Sequence, residues 1–140
     1  MNSTVVYLPF STAVAVRAVT NASFTQQVVL DPETGKQITW SGSGEADHQI
    51  GSTILTTPGS GRSPRGFMVT VTVNTEIQGK WAPSSVAQGN CGVMYYQATL
   101  VVSEDYVDQD WNDSVVFFTW WVPPSLRRVE DFALTPKSAG

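Results

Sequence analysis

Carboxylate side chains are concentrated in one stretch of the sequence, Ser103 to Ser114, which reads SEDYVDQDWNDS. Five of the twelve Asp and Glu residues lie in it, and no Lys or Arg interrupts them. Like charges at this density repel one another, so the folded chain must either expose them to water or neutralise them with cations. All the donors are hard oxygens, with no His or Cys among them, which favours calcium over zinc. The five acids are Glu104, Asp105, Asp108, Asp110 and Asp113.

Two interpretations of this segment compete, a solvated acidic loop and a metal site. Asp108, Asp110 and Asn112 alternate, and in an extended segment this spacing directs all three side chains to one side. Apolar runs at 98–102 and 115–122 flank the segment and are typical of buried strands. The acids therefore lie between core elements, which favours the metal site.

An EF-hand would be the most familiar calcium site for such a sequence, but the spacing excludes it. The sixth loop position requires Gly and is occupied by Asp113, and the twelfth requires Glu and is occupied by Thr119. The flanking segments also have the pattern of strands, whereas an EF-hand needs helices.

The elements that must position these acids are predicted to be short β-strands in one domain of 140 residues. Phe67 to Thr75 alternates between apolar and polar residues, and turn signals separate similar runs along the chain. Strands are predicted at 13–19 and 25–30, with a break between them, and 81–90 is predicted to be a connection. No helical period precedes Ser125. The fold class is therefore predicted to be all-β, an antiparallel β-sandwich over 1–124.

Composition excludes several function classes. The net charge of −4 and the isoelectric point near 4.7 argue against nucleic acid or an anionic membrane as partner. No apolar run reaches the roughly 20 residues of a membrane span, and the first residues lack the pattern of a secretory signal. The single Cys91 is expected to be a buried structural thiol.

The acidic segment closely resembles the calcium loop of the bacterial fucose- and mannose-binding lectins of the LecB (PA-IIL) type. That family's loop has the general form S-E-D-G-x-D-x-D-Y-N-D, followed by an apolar strand and Trp-Pro. Leu8-Pro9 and the strand that leads into Asn21 agree with the family as well, so the resemblance covers 5–29 and 98–122. It implies a calcium-mediated β-sandwich lectin with two adjacent Ca²⁺ ions, to which sugar hydroxyls bind directly.

The resemblance also implies which residues form the site. In the family pattern two of the metal ligands, here Asp110 and Asp113, bridge both ions. The implied metal ligands are Asn21, Glu104, Asp108, Asp110, Asn112 and Asp113. The implied sugar-binding residues are Ala22, Ser23, Phe24, Asp105 and Tyr106.

Individual sugar-site residues carry further expectations. Asp105 matches an acid that accepts hydrogen bonds from sugar hydroxyls, and Ala22 opens the short loop that tunes sugar preference. Ala at that position goes with mannose in the family, whereas Ser goes with fucose. Tyr106 replaces the family's Gly, so either its backbone is strained or its ring stacks on the sugar.

The end of the chain departs from the family. There, the terminal carboxylate follows Trp-Pro-Leu and ligates calcium in the partner subunit of a dimer. Here Trp120 aligns with that Trp and the chain continues to Gly140. A homodimer stays an open alternative, although with this extension a free terminal carboxylate does not follow the Trp to make the family's dimer contact. Ser125 is expected to cap a short helix within a C-terminal extension, 125–140, that ends in a frayed tail.

Three functions remain open at this stage. The first is a non-catalytic calcium-dependent lectin that binds mannose- or fucose-containing glycans. The second is a glycoside hydrolase that uses paired carboxylates, which five clustered acids suit poorly. The third is a calcium-stabilised structural or protein-interaction module without sugar binding. N-glycosylation at the sequons that begin at Asn21 or Asn112 would destroy the site. The bacterial cytoplasm, or export without a signal peptide, is therefore the expected location.

Overall fold

The computed structural model describes residues 2–105 and 111–122, and these form eight β-strands with no helix among them. The prediction of an all-β, antiparallel fold is confirmed. None of the described residues forms a helix of the length and apolarity needed to cross a membrane. The strands are β1 (Ser3–Leu8), β2 (Ala13–Pro32), β3 (Ile38–Thr56), β4 (Phe67–Ile77), β5 (Lys80–Pro83), β6 (Ser85–Val93), β7 (Tyr96–Glu104) and β8 (Ser114–Trp121).

The strands form one antiparallel sheet in the order β1-β4-β2-β8-β7-β6, and it curls until its ends nearly meet. β3 pairs with β2, and β5 pairs with β4. Between the two end strands of the path, Gln88 of β6 donates hydrogen bonds to the Thr4 hydroxyl at 2.6 Å and to the Val5 carbonyl at 2.7 Å. Most residues of the candidate site lie on β2, at the end of β7 and between β7 and β8.

The core lies between the curled halves of the sheet and is built mainly from β-branched residues. On β4, Phe67, Val69, Val71 and Val73 are all buried, while the alternate positions are partly exposed. This is the period of two expected for a strand with one face on the core. Burial of each such side chain contributes on the order of 1.5–3 kcal/mol. Other buried apolar members of the core are Val6, Leu8, Val14, Val16, Ala18, Val28, Leu30, Val101, Val116 and Phe118.

The break predicted between 19 and 25 is wrong, because β2 runs continuously from Ala13 to Pro32. Its pairing with β3 shifts register between Ala18 and Val19, between Thr20 and Ala22, and between Ala22 and Gln26. Extra residues on both strands form irregular bulges there without ending either strand. A bulge re-aims side chains next to a site, and it places Asn21 to Phe24 at the acidic loop.

The predicted connection at 81–90 is also wrong, since β5 and most of β6 occupy it. Most of β6 is exposed, and small and polar residues replace the apolar alternation by which a strand is recognised. Cys91 lies on β6 opposite Ala98 and is exposed, which corrects the expected buried thiol. The expected helix and tail of the extension, 125–140, lie outside the described residues.

Candidate metal and carbohydrate site

The acidic loop connects the end of β7 to the start of β8, and a buried pair of serines fixes its base. Ser103 and Ser114 face each other in the register, and their hydroxyl oxygens lie 2.6 Å apart. The Ser114 backbone N–H also donates to the Ser103 hydroxyl at 3.1 Å. The first and last residues of the loop therefore leave the sheet from a fixed point.

Three carboxylates meet immediately above this base. Glu104, Asp105 and Asp113 are only 2%, 8% and 4% exposed, and each offers an oxygen within 4.8 Å of the others. Backbone donors orient two of them. The Asp105 N–H donates to Asp113 Oδ2 at 2.8 Å, and the N–H of Trp111 donates to Glu104 Oε1 at 3.0 Å. Three converging buried acids are the kind of donor set that binds a hard cation.

The electrostatic cost of this cluster is visible at Asp113. Burial, followed by the negative charges of Asp105 and Glu104, raises the pKa of the Asp113 carboxyl from 3.8 to about 7. The hydrogen bond from the Asp105 backbone N–H acts in the opposite direction and does not offset them. Near neutral pH this site therefore favours a positive charge, either a proton or a metal ion.

Asn112 adds an amide oxygen to the same region. Its Oδ1 is buried and has no hydrogen-bond partner among the described residues. A buried acceptor without a partner costs free energy, and coordination of a cation would satisfy it. Carboxylate and amide oxygens together are the ligands that calcium prefers. The described residues therefore fit the metal that the sequence predicts.

Asn21 is connected to the loop from β2. Its backbone N–H donates to the Asp113 carbonyl at 3.0 Å, and its side-chain Nδ2 donates to the Asn112 carbonyl at 3.2 Å. The amide is also paired with Asp47 of β3. Asn21 Oδ1 accepts from the Asp47 N–H, and Nδ2 donates to Asp47 Oδ1, both at 2.8 Å. An amide oxygen has two lone pairs, so this pairing leaves one for a metal ion.

A cavity of about 140 Å³ opens beside the acids. Its lining residues are Asn21, Ala22, Ser23, Phe24, Glu45, Asp105 and Asp113. A larger cavity of about 560 Å³ lies at the opposite end of β8, between Phe10 and Trp121, but none of the described residues that line it is acidic. The donor chemistry identifies the smaller cavity as the candidate site.

The structure thus brings together eight of the eleven residues predicted for the site. Those eight are Asn21, Ala22, Ser23, Phe24, Glu104, Asp105, Asn112 and Asp113. The predicted Tyr106, Asp108 and Asp110 lie outside the described residues. Glu45 and Asp47 were not predicted. The only signal for them in the sequence is a pair of acids within a Gly-rich part of β3.

Comparison with known proteins agrees with this geometry. The family model for fucose-binding lectin II (PA-IIL) matches residues 6–122. The chain belongs to this family. A search of curated proteins gives no match.

Solved PA-IIL-like lectins share the fold. A Ralstonia solanacearum high-affinity mannose-binding lectin is 26% identical, with a TM-score of 0.65. A Chromobacterium violaceum lectin, solved with alpha-methyl-fucoside, is 23% identical with a TM-score of 0.64, and the C-terminal domain of a Burkholderia cenocepacia lectin is 23% identical with a TM-score of 0.62. Each alignment covers 85% of this chain and 96% of the other. The protein is thus a bacterial-type lectin domain of the PA-IIL family, in which the acidic loop and the bulge of β2 lie side by side.

Proposed function

We propose that this PA-IIL lectin binds mannose-type or fucose-type monosaccharides through two Ca²⁺ ions held by the acidic loop, without catalysing a reaction. The observation that carries this proposal is the convergence of the buried acids Glu104, Asp105 and Asp113, which offer oxygens within 4.8 Å of one another beside a cavity that the last two line. Carboxylates alone can only accept hydrogen bonds from the hydroxyl groups of a neutral sugar. Bound cations supply open coordination positions that sugar hydroxyls can fill.

The residues that would hold the ions are those of the family pattern. They are Asn21, Glu104, Asp108, Asp110, Asn112 and Asp113. The buried oxygen of Asn112 and the converging carboxylates of Glu104 and Asp113 support this assignment. Four of the six ligands are carboxylates, and their charge would offset two divalent ions. The loaded metal centre would then suit a neutral sugar.

Residues 22–24 and Asp105 would orient the sugar. The Asp105 carboxylate lines the cavity and can accept hydrogen bonds from hydroxyl groups. Phe24 also lines the cavity and is 48% exposed, so its ring can cover the apolar face of a pyranose. Ala22, the first residue of this segment of β2, favours mannose over fucose by the family pattern. The mannose-binding Ralstonia neighbour, at 26% identity, is consistent with that preference.

Calorimetric titration tests the proposal. Methyl α-mannoside and methyl α-fucoside are added to the protein in millimolar calcium and, separately, in EDTA. Saturable heat with sugar in calcium and none in EDTA would support the lectin. Heat on addition of calcium but none with either sugar would instead support the calcium-stabilised module without sugar binding.

One variant distinguishes a two-ion site from a one-ion site. Asp110→Ala should abolish both ions at once, because Asp110 is assigned a bridging role. Retained calcium-dependent sugar binding in this variant would contradict the two-ion arrangement. Light scattering on the native protein in calcium would test the dimer, which stays a prediction. The cytoplasmic or exported location also stays a prediction.

A further inference from the structure

Glu45 is the one acid of the cavity wall that belongs to neither the acidic loop nor β2. It lies on β3, is exposed, and lines the cavity together with residues 22–24. Within the described residues, the Glu45 side chain has no hydrogen-bond or ion-pair partner. Its carboxylate is therefore available to a ligand in the cavity.

The backbone around Glu45 is held in place on both sides. On one side, the Thr20 hydroxyl donates to the Gly44 carbonyl at 3.0 Å. On the other, Asp47 forms its two 2.8 Å hydrogen bonds with the Asn21 side chain. Ala46 and Asp47 have φ values of 63° and 53°, so two successive left-handed residues turn the chain back into β3. The position of Glu45 at the cavity thus follows from a fixed bulge.

The charge of Glu45 is not offset by its surroundings. No Lys or Arg lines the cavity among the described residues. If four loop carboxylates offset two calcium ions, as in the proposed function, then Glu45 remains as a negative charge at the wall of the cavity that would hold the sugar. The metal centre would be close to neutral while the edge of the cavity stays anionic.

We infer that Glu45 makes this lectin selective for charge next to the bound sugar, favouring glycans with an ammonium group there and disfavouring uronates and other carboxylates. This inference rests on the proposed function. Two unit charges 4 Å apart in water interact enough to change an affinity by about fivefold. Because the site is exposed, the effect should shrink as salt approaches 1 M, where the screening length is about 3 Å.

The test compares neutral, ammonium and carboxylate forms of a mannoside in calcium, with the charge placed either at C6 or at C1. The probes are methyl α-mannoside, its 6-amino-6-deoxy analogue and its 6-carboxylate, together with 2-aminoethyl and carboxymethyl α-mannosides. All of them leave the ring hydroxyls at C2, C3 and C4 free for metal binding. For charge at C6 or at C1, the ammonium form should bind about fivefold more tightly than the neutral sugar at low salt, and the carboxylate form about fivefold more weakly.

Glu45→Gln keeps the size of the side chain and removes its charge. The ratio of charged-sugar to neutral-sugar affinity, measured within each variant, should then move towards one. Asp31→Asn is a matched control, since Asp31 is exposed on β2 and nine residues beyond Ala22, up to roughly 30 Å along the strand. It should leave the ratio unchanged.

The outcomes separate the two proposals. Suppose that methyl α-mannoside binds in a calcium-dependent manner. If the ratio of charged-sugar to neutral-sugar affinity is then near one for charge at both C6 and C1, or is the same in Glu45→Gln as in the native protein, the inference about Glu45 is overturned and the proposed lectin function stands. If neither neutral mannoside nor neutral fucoside binds in calcium, the proposed function fails and the inference fails with it.

Discussion

The backbone N–H of Asp105 donates a 2.8 Å hydrogen bond to Oδ2 of Asp113, which joins the residue after β7 to the residue before β8. This bond fixes one carboxylate oxygen of Asp113 in a buried cluster with Glu104. The loop is thereby closed at its base, and the carboxylates of Glu104, Asp105 and Asp113 converge there.

Asp113→Asn should separate metal binding from folding. The amide is isosteric and can still accept from the Asp105 N–H, while the repulsion with Glu104 and Asp105 is removed. The unfolding midpoint in EDTA at pH 8 should therefore be unchanged or higher than that of the native protein. Calcium affinity, measured by titration calorimetry, should fall by more than about 100-fold, because the variant loses a charged ligand. A calcium affinity equal to that of the native protein would show that Asp113 is not a ligand.

Without calcium, stability should depend on pH through Asp113. Its pKa is raised from 3.8 to about 7 in the folded protein, so the folded state binds more protons than the unfolded state between these values. The contribution of Asp113 to stability is then fully present below pH 3.8 and is lost as the pH rises through about 7. The melting temperature in EDTA should fall with rising pH for the native protein, and this fall should be absent in Asp113→Asn.

Calcium should oppose this fall of stability with rising pH. The metal competes with the proton at Asp113, so calcium affinity should rise from pH 6 to pH 8 and binding should release protons. Calorimetry in buffers of different ionisation enthalpy measures the release. Calcium binding without any proton release at pH 6 would contradict the assignment of Asp113 as a calcium ligand.

Asn112→Ala should weaken calcium binding without weakening the apo fold. The Oδ1 atom of Asn112 is buried without a partner, so its removal relieves a desolvation cost. We expect the free energy of unfolding in EDTA to change by no more than about 0.5 kcal/mol. Calcium affinity should fall by about tenfold or more, as for loss of a neutral oxygen ligand. Urea unfolding in EDTA and calcium titration are the two measurements, and a large loss of stability in EDTA would argue for a structural role.

Asp47 should stabilise the bulge of β3 through Asn21. Asp47→Ala removes the acceptor of the 2.8 Å bond from Asn21 and places Ala at a φ of 53°. The expected loss is about 1–2 kcal/mol in urea unfolding. Asp47→Asn keeps an acceptor oxygen and a residue that tolerates this backbone conformation, so it should lose less than about 0.5 kcal/mol. Equal losses in the two variants would refute the role of the side-chain oxygen.

The sequence predicted those parts of the site that depend on near neighbours in the chain. Glu104 and Asp113 are close in sequence, and strands on both sides bring them together, so spacing and flanking periodicity were sufficient. The alternation of 67–75 likewise predicted β4. Asn21 lies far from the loop in sequence, and only the resemblance to the lectin family connected the two.

Glu45 and Asp47 could not be predicted, because they reach the site through the register of β2 with β3. That register contains three shifts near the site, and the pairing of two strands is not determined by the local propensity of either one. β6 was missed for a different reason. It is exposed along most of its length, so it has no apolar face to give it a period.

A crystal structure of the protein grown with millimolar calcium and methyl α-mannoside tests the central claim most directly. The account predicts two cations at 2.3–2.6 Å from carboxylate oxygens of the acidic loop, the distance range of calcium coordination, and two or more sugar hydroxyls bound to them. An acidic loop that contains only water under these conditions, or a sugar bound without contact to a metal ion, would contradict it.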